Sequence, residues 1–70
     1  MLERVERHRD AVGAYRRATE CAPEDPTPSF NLGNAQLALG DFSAAAESYR
    51  AVIARRPDHV EAHWNLATAL

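Results

Sequence analysis

Seventy residues with a formal charge of −2 and an isoelectric point near 5.8 leave room for one small domain, whose single core supplies no more than about 3–5 kcal/mol. That balance lacks the basic footprint of a nucleic-acid-binding protein, although arginines cluster locally at Arg4, Arg7 and Arg9, at Arg16 and Arg17, and at Arg55 and Arg56. One cysteine closes no internal disulfide, and neither a signal-peptide core nor a run of about 18 apolar residues occurs.

A soluble, cytoplasmic protein with no nucleic-acid or membrane partner is the resulting expectation. All eight basic residues are arginine and none is lysine, a bias expected of a GC-rich, bacterial genome.

In chain order, the first helix is expected over residues 3–21, where Ala11, Val12, Tyr15 and Ala18 form an apolar stripe. Glu6-Arg7 carries no turn signal, so residues 2–21 form either one continuous helix or the tail of one and the start of another. Cys21 falls at the end of this segment and is expected to be partly buried and inert. Pro23 closes it, because proline cannot continue a helix interior.

A second helix is expected over 28–39, with Thr27 as its cap and Pro28 in its first turn, where a missing N–H costs nothing. Leu32, Ala35, Leu37 and Leu39 give it an apolar face. Gly40 suits the left-handed residue that ends such a helix, and Asp41 can cap the next.

The third helix, 42–55, has the clearest stripe: Phe42, Ala45, Ala46, Tyr49, Val52 and Ile53 recur at helical spacing. After Pro57, Asp58 and Glu61 have the spacing of a capping box for a fourth helix over 59–70.

A shift of 34 positions lays the chain on itself. Ala11 falls on Ala45, Tyr15 on Tyr49, Arg16 on Arg50, Ala18 on Val52 and Pro23 on Pro57; Phe30 falls on Trp64, Asn31 on Asn65, Leu32 on Leu66, Gly33 on Ala67 and Ala35 on Ala69. The stretch from Asn31-Leu32-Gly33-Asn34-Ala35 through Gly40-Asp41-Phe42 to Ala45, Tyr49 and Pro57 resembles a tetratricopeptide repeat.

The expected fold is all-α, an α-solenoid of antiparallel helix-turn-helix repeats with about four helices. Residues 1–25 would be the second helix of a partial repeat, 26–59 one complete unit and 60–70 the first helix of a further one. Small residues at Gly33, Ala67, Ala11 and Ala45 suit close helix approach, and Tyr15, Tyr49 and Phe42 suit the wider gaps. Ser29 and Gln36 depart from the family pattern, which usually has large apolar residues there, and are expected to loosen packing around the second helix.

The resemblance implies that the first helix of each unit lines a concave groove for an extended peptide. The groove residues it implies here are Phe30, Asn31, Asn34, Trp64, Asn65 and Thr68. Asn31 and Asn65 would then stack as an asparagine ladder whose carboxamides bond a peptide backbone, beside Phe30 and Trp64 as flat apolar surfaces. This arrangement resembles the repeat arrays of O-linked N-acetylglucosamine transferases. The plainer alternative is that the carboxamides bond between helices and the aromatics pack in the core. A carboxylate clamp of the kind some family members carry is disfavoured, since no cation stands among the implied groove residues.

His59 and His63 lie four apart, as zinc-binding pairs do, but the acid of His-Val-Glu-Ala-His stands in the middle and no third ligand is at hand. His8 with Asp10, or Cys21 with any histidine, lacks the base and orienting partner of a nucleophile. No catalytic residue, metal or cofactor is expected, and the chain is not read as an enzyme.

The expected function is a protein–protein interaction scaffold with a protein or peptide partner. The alternative is a substrate-recruiting segment of a larger enzyme such as a glycosyltransferase. Apolar faces are expected at both terminal helices. Either the chain is an excerpt of a longer protein, or copies associate through those faces as a homo-oligomer.

Overall fold

The computed structural model describes residues 2–70, with side chains from Glu6 onward. Four helices follow one another: α1 (Leu2–Cys21), α2 (Pro26–Ala38), α3 (Phe42–Arg55) and α4 (Val60–Ala69). No strand occurs among the described residues. Residues 2–21 form one continuous helix, as the missing turn signal at Glu6-Arg7 allows.

The helix boundaries are set by local chemistry. α2 starts earlier than expected: the cap is Asp25, not Thr27, and its carboxylate accepts from the Thr27 N–H at 3.0 Å. Pro26 then takes the first helical position, where no N–H is needed. At the other end Gly40 adopts φ +80°. Its N–H donates to the Leu37 carbonyl at 3.0 Å, and that of Asp41 to the Gln36 carbonyl at 2.9 Å. This is the paired closure of a Schellman motif, which only a residue at ease with positive φ permits.

Asp41 precedes α3, but its side chain makes no capping bond. The cap of α4 is His59 rather than Asp58; its Nδ1 accepts from the Ala62 N–H at 3.1 Å.

Connections of three or four residues make successive helices antiparallel neighbours. α1 packs on α2, α2 on α3 and α3 on α4; α2 also touches α4, whereas α1 and α3 do not meet. The slab measures 35 × 27 × 15 Å, its thin dimension matching two helix layers. The α2–α4 layer, whose members touch, is therefore the inner side of a curve, and the α1–α3 layer is the outer side.

The core is built mainly of small residues. Ala35, Ala45, Ala46, Ala62 and Ala69 are buried, and Tyr49 and Val52 are the largest fully buried side chains. Small side chains bring backbones close, and one tyrosine fills the space that remains. A methyl group on Gly33 would lie 2.7 Å from the Tyr49 ring, so the α2–α3 contact requires glycine there.

Three expectations of packing are corrected. Phe42 does not fill a gap between units but is 52% exposed at the start of α3. Cys21 is exposed, because it ends α1 as the chain turns into solvent. Gln36 does not simply loosen α2: it is buried, and the Ser48 hydroxyl donates to its Oε1 at 2.6 Å. A buried polar pair thus ties α2 to α3, and a trench remains beside it.

Candidate functional site

The centre of the inner layer is a polar junction between α2 and α4. Asn34 Oδ1 accepts from the Tyr49 hydroxyl at 2.6 Å and from Asn65 Nδ2 at 3.1 Å. Two donors on one carbonyl use both of its lone pairs and fix the orientation of each amide. Among the described residues, Asn34 Nδ2 and Asn65 Oδ1 have no bonded partner, and both side chains are half-buried.

The junction therefore offers solvent an amide donor group and a carbonyl acceptor, the complement of a peptide unit's C=O and N–H. Burial pushes the Tyr49 phenol above its ordinary value, and the neighbouring Asn65 carboxamide draws it part of the way back. The neutral hydroxyl is thus held as the donor this junction requires.

The six residues implied for the groove are not gathered in one pocket. Asn31 and Asn34 line a cleft of about 320 Å³ whose far wall is α1, with Arg7, His8, Ala11 and Tyr15. Asn65 joins Asn34 rather than Asn31. Trp64 stands 75% exposed on α4, and Thr68 is exposed one turn later, its hydroxyl donating to the Trp64 carbonyl at 3.1 Å.

Phe30 turns elsewhere. Its ring lies 6.1 Å from that of Tyr49 and 4.8 Å from that of His59. It lines a second cleft, about 430 Å³, with Pro26, Thr27, Arg56, Asp58 and His59. Phe30 therefore packs at the edge of the core.

The α1 side of the first cleft lies outside the first helices of the repeat units, and so outside the six residues implied for the groove. Arg7 puts a cation in that wall. The 34-residue shift carried the signal, because it maps Ala11 and Tyr15 onto the core residues Ala45 and Tyr49.

The two histidines of the spaced pair have separate tasks. His59 caps α4 through Nδ1, and His63 Nε2 lies 2.7 Å from the Pro57 carbonyl. No three His, Cys, Asp or Glu side chains gather as a metal site among the described residues. No helix among the described residues is long and apolar enough to cross a membrane.

Consecutive antiparallel helices in two curved layers, joined by a polar seam on the inner face, define an α-solenoid of helical-hairpin repeats. The family described as tetratricopeptide repeat matches residues 2–40 and again residues 30–70, so the chain belongs to that family. No curated protein and no solved structure matches the chain. Repeats of this family generally mediate protein–protein interaction.

Proposed function

We propose that the chain is an interaction scaffold whose inner face holds an extended peptide segment of a protein partner. The observation that carries this is the Asn34–Asn65 junction, which leaves an amide donor group and a carbonyl acceptor uncommitted beside the exposed indole of Trp64. Carboxamides presented this way recognise backbone rather than side chains, so affinity is not tied to one sequence. Trp64 supplies the apolar area that a few backbone bonds lack. Asn31, on the wall of the adjoining cleft, extends the polar track toward α1.

The test selects peptides from a random library against the 70-residue chain and titrates one of them against variants. Asn31→Ala/Asn65→Ala is expected to weaken binding about tenfold, the loss of one or two net hydrogen bonds. Trp64→Ala is expected to weaken it more, by about 2 kcal/mol. Full affinity in both variants would remove the inner face as the binding surface.

A second reading, self-association, rests on a separate observation. α2 sits on a seat formed by Ala45 and Tyr49 of α3 and Asn65 and Ala69 of α4. Shifted by 34, those positions are Ala11, Tyr15, Asn31 and Ala35, all of which line the α1–α2 cleft. That cleft is a second seat for a helix of the α2 kind. α4 is such a helix: its Trp64, Ala67 and Thr68 correspond to Phe30, Gly33 and Asn34, and all three are exposed. Docking α4 of one copy onto α1 and α2 of the next builds a head-to-tail assembly.

A further inference from the structure

On the outer face, a trench of about 410 Å³ runs between α1 and α3 with α2 as its floor. Its floor carries Ser29 and Gln36, one small and one polar, beside Leu32. α1 and α3 do not meet across it. Its volume falls within the roughly 300–1,000 Å³ of sites that hold small ligands.

Gln36, with 4% exposure, is the polar group of the floor. One end of its carboxamide is engaged by Ser48 at 2.6 Å. The other end has no partner among the described residues, yet no buried polar atom is left unsatisfied, so this end is open to the trench. Leu32 and Ala51 give the trench apolar lining. Arg16 of α1 and Glu47 of α3 both line the trench, so its lining carries one charge of each sign.

We propose that this trench receives a tyrosine side chain presented by a partner protein. A neutral aromatic body suits the apolar lining and its balanced charge. With Oε1 held by Ser48, the open end is the Nε2 amide donor, and a phenol oxygen accepts from it. Leucine and phenylalanine would leave that end unpaired once water is expelled, which costs affinity. Tryptophan offers only a donor and meets the amide nitrogen with like polarity. This site lies on the face opposite the inner junction and is independent of peptide binding there.

The test titrates N-acetyl-tyrosinamide and N-acetyl-phenylalaninamide into the 70-residue chain, following by NMR the Gln36 side-chain amide and, in every variant, the backbone amides of Leu32, Ser48 and Ala51 along the trench. The tyrosine amide is expected to shift that signal saturably and to bind about three- to tenfold more tightly, the worth of one hydrogen bond. In Gln36→Leu the two amides bind alike. In Ser29→Trp, which fills the trench, neither binds, while the Asn34 and Asn65 side-chain signals stay in place and report an intact inner face. Equal response to both amides in the parent chain, no response to either, or tyrosine preference persisting in Gln36→Leu overturns the proposal. The Gln36→Leu comparison decides the matter even if Ser29→Trp fails to fold.

Discussion

The Tyr49 phenol joins three elements. Its ring rests on Gly33 of α2, its hydroxyl donates to Asn34, and Asn34 in turn holds Asn65 of α4. Because burial raises its pKa, the folded chain holds the phenolic proton more tightly than the unfolded chain does. Stability from this group is complete below the unfolded value of about 10 and is lost as pH rises from there through the folded value. The limit is about 1.4 kcal/mol per pH unit over that window. Tyr49→Phe should cost about 0.5–1.5 kcal/mol at neutral pH, the loss of one hydrogen bond. It should also flatten the alkaline loss. Urea denaturation at a series of pH values from about 8 to 11 measures both effects. A variant that loses stability above about pH 10 as steeply as the parent would show that Tyr49 is not the titrating group.

Among the elements, two helical glycines with unlike surroundings separate propensity from packing. In α1, a methyl group on Gly13 would meet only the flexible Arg17 guanidinium, at 3.7 Å. Gly13→Ala should therefore stabilise the chain by about 0.5–1 kcal/mol, the intrinsic preference of a helix for alanine. At Gly33 the same methyl lies 2.7 Å from a fully buried tyrosine ring that is bonded at its far end. Overpacking costs about 1–3 kcal/mol and outweighs the propensity gain. Thermal melts of the two variants should thus move in opposite directions; a rise in Tm for Gly33→Ala would contradict the close approach of α2 and α3.

The periodic features of these elements were legible in the sequence. The 34-residue shift and the stripes around Tyr49 specify four helices in antiparallel pairs, and Gly40 marks a turn by its need for positive φ. The caps were less legible because several residues compete. Asp25 and Thr27 both suit the start of α2, and so do Asp58 and His59 for α4; geometry chooses between them. The candidate site was legible only in part. Asn34 and Asn65 bond across 31 residues, which no local period predicts, and the open wall contributed by Arg7 becomes a site feature only when α1 packs beside α2.

For the whole molecule, the two seats for an α2-like helix are not equal, and the difference bears on assembly. Gly33 is required in the α2–α3 contact, but the matching residue of α4 is Ala67, whose methyl is the very group that would crowd Tyr49 in the first seat. In the second seat the ring is that of Tyr15, which is half-buried. In the proposed head-to-tail contact between copies, the Ala67 methyl would meet the Tyr15 ring. Ala67→Gly should tighten that contact severalfold, although glycine costs α4 about 1 kcal/mol of helix stability. Ala67→Phe should abolish it, since a ring cannot be placed where even a methyl is tight. Sedimentation equilibrium over a concentration series measures the association constant of each variant. A chain that stays monomeric throughout, or that associates as well with phenylalanine at position 67 as with alanine, would show that copies do not meet through this seat. The inner face would then be left as the surface for a partner of another sequence.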